Sequence, residues 1–457
     1  MNTKIPLLAF VCLLLPVCNG GSDSNKLAEV HINQAIDILF VIDNGGDMAR
    51  EQVQLGESID EFLFELERNL SDDYHIAVIT TGMESQFCPP CDATITKGCF
   101  NESGETGRFQ DRLGKYQYTG GTPVYSSEYD QTCRVVDKLN KICLFDDVEK
   151  KGTLLVGDNG CGFEYSFAAM KMALGVHPDD YNSGFLRDEA TLAVVVLSSE
   201  EDCGEVDEVY EFSADGGNIC FFAAKGEGPE PGNSTYTPMT YHPGDPEQRP
   251  YELTTVEEYK TFLENLKGGK FGMIKFAAIV GVEHVNDLET TTIEYEWDED
   301  RMRWMVVEAC TTTGCTGDYC NVRPGTRYIQ MAQLFGIGEN GFIETICQMD
   351  YSDTMERLAR FLSCPGRFLL EKDISDPQKS NLELNGQLIP RYSCTVENQL
   401  ESCQYTDDPS CSAGTCVETW SYYYPSLAEP HGAVVFAEHF DACSYASGGV
   451  LRIDLAD

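Results

Sequence analysis

Between Asp37 and Asp43 the chain reads Asp-Ile-Leu-Phe-Val-Ile-Asp, a continuous apolar run closed by an acid at each end. A run this short and this apolar predicts a strand buried on both faces, as in a parallel sheet. After a Gly-rich turn, Val53, Leu55, Ile59, Phe62, Leu63 and Leu66 recur at helical spacing, which predicts one amphipathic helix over Met48 to Leu70. A second buried strand follows at Tyr74 to Thr81. The alternation then repeats: helix at Cys161 to Leu174, strand at Leu192 to Leu197, helix at Val256 to Leu266, strand at Ile274 to Val282, helix at Arg327 to Phe335, short strand at Gly341 to Cys347, helix at Tyr351 to Leu362. Alternation of this kind implies an α/β fold, a doubly wound and mostly parallel sheet flanked by helices.

Three stretches break the rhythm, at about 84–150, 203–254 and 290–322. The first carries five cysteines and one predicted helical piece around Cys133 to Cys143; the second is rich in Gly, Pro and acids. The third contains Ile293 to Val307, whose alternation about Asp298-Glu299-Asp300 predicts a β-hairpin. Beyond about residue 365 the helical period disappears. Asn385-Gly386 between apolar runs predicts a hairpin, and Ala433 to Phe436 and Gly449 to Leu455 read as strands, so 366–457 is expected to be a small β-rich, Cys-containing appendage to a main domain at 36–365.

Charge narrows the partners. With 75 Asp+Glu against 32 Lys+Arg the 457-residue chain has a formal charge of −43, which leaves no clustered basic residues to neutralise phosphates and argues against nucleic acid. Twenty cysteines point to an oxidising compartment. The N-terminus agrees: Ile5 to Val17 is an apolar run behind Lys4, too short to span a bilayer and suited to a signal peptide over 1–18. Leu15-Pro16-Val17-Cys18, followed by a polar tether over 19–35, resembles a lipoprotein signal in which Cys18 receives the lipid; ordinary cleavage after Gly20 is the other reading. Setting aside Cys12 and Cys18 leaves an even set of cysteines, among them Cys88, Cys91, Cys161, Cys203, Cys310 and Cys347, all read as disulfide candidates. Any membrane contact would then be through the lipid alone.

Four segments, taken with the first strand, resemble the von Willebrand factor type A family, of the secreted or lipid-anchored bacterial (myxobacterial-like) kind. They are Asp73 to Gly82, Gly160 to Ala169, Gly184 to Ser198 and Ile343 to Ser352, which follow Asp37 to Met48 in the family's order. The resemblance implies a divalent cation, Mg²⁺ or Ca²⁺, held by three loops above the carboxyl edge of the sheet, and a role in adhesion or protein binding. Hard cations take oxygen donors, and an open position admits a partner's group.

Carried over residue by residue, the pattern is divergent. Asp43 is retained, the two loop serines fall on Gly45 and Asp47, the second-loop threonine falls at or beside Cys161, and the third-loop aspartate falls on Ser199. Asp47, Glu200 and Asp202 place carboxylates beside the lost ligands. The resemblance therefore implies Asp43, Asp47, Ser199, Glu200 and Asp202 as metal candidates, in a site either rebuilt with more acid or degenerate.

Catalysis has less support. Cys88-Pro-Pro-Cys91 has redox spacing, but its prolines and the following loop fit a stapled insertion better. There is no His-Glu-x-x-His, no Gly-x-Ser-x-Gly and no phosphate-binding Gly-x-x-x-x-Gly-Lys. The sequence is thus read as a non-enzymatic, exported, surface-anchored protein that binds a protein ligand or cell-surface component. A thiol–disulfide or metal-dependent enzyme in the Cys-rich insertion, and a purely structural envelope component, are the alternatives.

Overall fold

A computed structural model describes most of residues 35–83, 152–204, 253–312 and 320–363, together with isolated strands at 27–31, 135–145 and between 220 and 240 and after residue 367. Its centre is a five-stranded sheet in which every pairing is parallel. The strands are β1 (Ile36–Ile42), β2 (Tyr74–Thr80), β3 (Thr191–Leu197), β4 (Ile274–Val280) and β5 (Gly341–Thr345), in the spatial order β5-β4-β3-β1-β2. Among the described residues six helices cover it: α1 (Ala49–Glu57), α2 (Ile59–Asn69), α3 (Ser166–Leu174), α4 (Val256–Leu266), α5 (Thr326–Phe335) and α6 (Ser352–Ser363).

Strand alternation decides which helix covers which face. Ile38, Phe40 and Ile42 of β1 point into one core with Leu55, Phe62 and Leu66 of α1 and α2 and Met355 and Leu358 of α6. Leu39 and Val41 point into the other, with Phe167 of α3, Tyr259 of α4 and Tyr328 of α5. Phe40 and Phe62 meet edge to face at 5.8 Å, both fully buried. Each such side chain contributes about 1.5–3 kcal/mol of burial, so the double-faced apolar run of β1 is the chief reason it lies inside the sheet.

The expected elements appear with four differences. The single helix over Met48 to Leu70 is two, separated at Ser58, where φ and ψ are −96° and 9°. An added β-carbon on Gly56 would stand 2.2 Å from the Phe145 ring, so segment 144–145 seats against the end of α1 because a glycine is there. The helix predicted from Cys161 begins only at Ser166, since Glu164 forms a parallel bridge to Asp202. The helical piece predicted around Cys133 to Cys143 is instead Val135–Asp137 paired antiparallel with Ile142–Cys143. Residues Leu27–His31, at the end of the expected tether, form a strand against Val450–Asp454.

Tyr295–Asp298 and Arg303–Val306 form the predicted acidic-tipped hairpin, with Trp297 opposite Trp304. Asn381–Leu384 pairs with Gln387–Ile389 about the Asn-Gly turn. Two disulfides are described, Cys203–Cys220 and Cys310–Cys347, and Cys320 is also disulfide-bonded. Cys18, Cys88, Cys91 and Cys161 lie outside the described residues.

Candidate functional site at the carboxyl edge of the sheet

In the sheet's order the chain leaves β1 toward β2 and then returns past β1 to β3, which puts the topological switch point at the carboxyl end of β1. Ligands of open α/β sheets bind there. Register fixes what meets: Ile42 pairs with Thr80 on one side and Leu197 on the other. The next residues, Asp43, Thr81 and Ser198, therefore emerge side by side.

Asp43 is fully buried, and its two oxygens have different neighbours. Oδ1 accepts from the Gly45 N–H at 2.7 Å. Oδ2 accepts from Ser198 Oγ at 2.9 Å, from the Ser199 N–H at 3.2 Å and from Ser199 Oγ at 3.5 Å. Ser199 Oγ also donates to Asp47 Oδ2 at 3.0 Å, which ties the first loop to the third. Gln52, buried on α1, holds the base of the first loop by donating to the carbonyls of Asp43 at 2.9 Å and Gly157 at 2.8 Å.

Glu164 is the residue that the sequence reading missed. It is buried at 1% exposure, accepts a hydrogen bond from Thr81 Oγ1 and shares one with Asp43. Burial and then the Asp43 charge raise its pKa well above the usual carboxylate range, against the hydrogen bond from Thr81. Burial, followed by the Asp47 charge, raises Asp43 to about 6 against the Gly45 and Ser198 hydrogen bonds. An acid three residues past the position searched for a hydroxyl, in the turn before a helix, was the available signal; 75 acidic residues in the chain concealed it.

Gly45 shapes the cluster. A β-carbon added to it would stand 3.0 Å from Asp43 Oδ1, 3.3 Å from Asp47 Oδ1 and 3.3 Å from Glu164 Oε1. Three carboxylate oxygens thus crowd the space that a side chain would take, and they can face one another only across a glycine.

The three acids of the third loop are committed elsewhere. Glu200 pairs with Arg323, whose Nη1 lies 3.0 and 3.2 Å from its oxygens; burial first, against Arg323, raises its pKa to about 7. Asp202 turns away from the cluster, accepting from the Phe167 N–H at the start of α3 and from Arg327 Nε, both at 3.0 Å. Glu201 between them caps α5, accepting from the N–H groups of Thr326 at 2.7 Å and Arg327 at 3.0 Å. Of the five residues first implied, Asp43, Asp47 and Ser199 come together, Glu200 stands at the rim, and Asp202 is part of the frame.

The donor set of carboxylates and a hydroxyl suits a hard cation in chemistry. Among the described residues no three His, Cys, Asp or Glu side chains already stand as a metal-binding group; Asp43 and Glu164 are closed on each other by their hydrogen bond. Among the described residues, too, no helix is long and apolar enough to cross a membrane.

No family model and no curated protein matches the chain. Among solved structures it is similar to the pilus adhesin SpaC from Lactobacillus rhamnosus GG, at 9% identity and a TM-score of 0.29, over 93% of this chain and 39% of that one. It is also similar to the pilus adhesin RrgA from Streptococcus pneumoniae, at 10% identity and a TM-score of 0.24, over 94% of this chain and 57% of that one. The chain thus spans less than two thirds of the length of either adhesin, and superpositions this loose carry neither fold nor partner across.

Proposed function

We propose that the protein is an exported binding domain of the von Willebrand factor type A kind, which engages a protein or cell-surface partner at the carboxyl edge of its sheet through a bound divalent cation. Asp43, Asp47, Glu164 and Ser199 would hold the ion, Mg²⁺ or Ca²⁺. The observation that carries this reading is the convergence of three carboxylate oxygens over Gly45 at the topological switch point. When bound, the cation supplies positive charge to a cluster of acids and an exchangeable position for a partner's group. The chain's own residues do the rest: Gln52 fixes the first loop, Ser199 bridges it to the third, and Thr81 orients Glu164.

The disulfides support an oxidising compartment, and Cys18 remains the proposed lipid attachment point. Calorimetric titration of the folded protein with Mg²⁺, Ca²⁺ and Mn²⁺ tests the site. Saturable heat that vanishes in Asp43→Asn is expected. Absence of heat at millimolar ion sinks the cation reading and favours a structural domain with a degenerate site, for which the hydrogen bonds that already satisfy Asp43 are the motivating observation.

A further inference from the structure

Glu200 follows Ser199 directly, yet its carboxylate is drawn to Arg323 and not into the cluster that Ser199 joins. Arg323 is mounted firmly. Its N–H donates to Ser199 O at 3.3 Å, which keeps its backbone against the third loop. Its carbonyl oxygen lies 1.8 Å from where a β-carbon on Gly281 would stand, so this approach requires glycine there. Its guanidinium lies 5.7 Å from the centre of the Phe221 ring, which is fully buried and next to Cys220, the partner of Cys203 in the third loop. A disulfide thus carries the aromatic support of the arginine into the loop that bears Glu200.

The pair stands at the rim, with 24% of the Arg323 side chain and 23% of the Glu200 side chain exposed. It is close enough for the charges of Asp43 and Asp47 to act on Glu200. We infer that Arg323 sets the affinity of the proposed cation site by holding Glu200 out of it. Two effects act in one direction: a fixed positive charge beside the site repels an incoming cation, and a fourth carboxylate is withheld from the donor set. The arginine acts through Glu200 and the field, so it is a positioning residue and not a ligand.

This inference rests on the cation reading, and a double-mutant cycle on the full chain separates the two. Ca²⁺ affinity is measured by calorimetry for the wild type, Arg323→Gln, Glu200→Gln and the double variant, with circular dichroism and the thermal midpoint confirming folding. Removing the guanidinium frees Glu200, so Arg323→Gln is expected to tighten Ca²⁺ binding about tenfold or more, while Glu200→Gln alone, which leaves the guanidinium without its counter-charge, weakens it by about twofold to fivefold and the double variant loses most of the gain. Arg323→Lys, which keeps the charge, stays near the wild type and serves if the glutamine variant does not fold. Unchanged or weaker binding in folded Arg323→Gln, or a tenfold loss in Glu200→Gln alone, overturns the role of Arg323 and leaves the cation site standing. A wild type that takes up no cation removes both.

Discussion

Strand β1 carries a buried acid at each end, Asp37 at the start and Asp43 just past the finish, and both are fully buried. Asp37 faces an arginine, a lysine and a histidine. Its oxygens accept from Arg187 Nε and from the Arg187 N–H, each at 2.7 Å, with His75 Nδ1 at 3.5 Å and Lys267 Nζ at 4.0 Å. Asp43 meets hydroxyls, N–H groups and other acids, and among the described residues no Lys, Arg or His pairs with it. One end of the strand has its counter-charge built in. The other has its counter-charge left outside the fold, which is the arrangement expected where an external cation or partner is to arrive. Burial of an acid therefore says little about function until its neighbours are counted.

The largest effect should fall on the compensated end. Asp37→Ala leaves Arg187 and Lys267 facing each other without their carboxylate, and breaking a buried pair in this way costs about 3–5 kcal/mol. Asp43→Asn in cation-free buffer should cost less, about 1–2 kcal/mol, because no buried cation is left unpaired and the repulsion from the Asp47 charge is relieved. Urea unfolding of both variants measures the contrast, and equal losses would break it.

Next comes pH. Lys275, near the start of β4, is buried with its ammonium on the Phe361 carbonyl in the last turn of α6, and desolvation lowers its pKa to about 7. The unfolded chain binds that proton up to 10.5, so between about pH 7 and 10 the unfolded state carries more protons and the stability contribution of this group rises with pH. A gain on the order of a few kcal/mol over that window is expected, flattened in Lys275→Met. Identical pH profiles for the two proteins would show that the amine is protonated in the fold.

A smaller shift should separate the two acids by ligand. At about 100 times its dissociation constant a cation adds about 2.7 kcal/mol to the native state, a rise of several degrees in the thermal midpoint. Asp37→Asn, wherever it remains folded, should keep that increment, and Asp43→Asn should lose it. Loss in both would mean that the effect is general stabilisation and not binding at one edge.

Much of this was legible in the sequence for a physical reason. A strand buried on both faces has to be apolar throughout, so β1, β3 and β4 announce themselves as runs, and the α4 period ran from Val256 to Leu266 without interruption. The break at Ser58 was not legible because the apolar period continues through it from Leu55 to Ile59; beside it, Gly56 meets Phe145, nearly ninety positions away. The resemblance pointed to Asp43, Asp47 and Ser199, which local order along the strand ends brings together. Glu164 and the diversion of Asp202 to Arg327 depend on how three loops pack against each other, and no local pattern records that.

Gly45→Ala gives the most direct test of the claim that the carboxyl edge is built for a cation. The added methyl would press first on oxygens of Asp43, Asp47 and Glu164, at 3.0 to 3.3 Å. Gly45 is not among the glycines held at positive φ, so alanine brings no backbone strain. Ca²⁺ titration by calorimetry, wild type against Gly45→Ala, should show binding weakened about tenfold or more with unfolding free energy changed by no more than about 1 kcal/mol. Equal binding by the two proteins, or none by the wild type, would contradict the account.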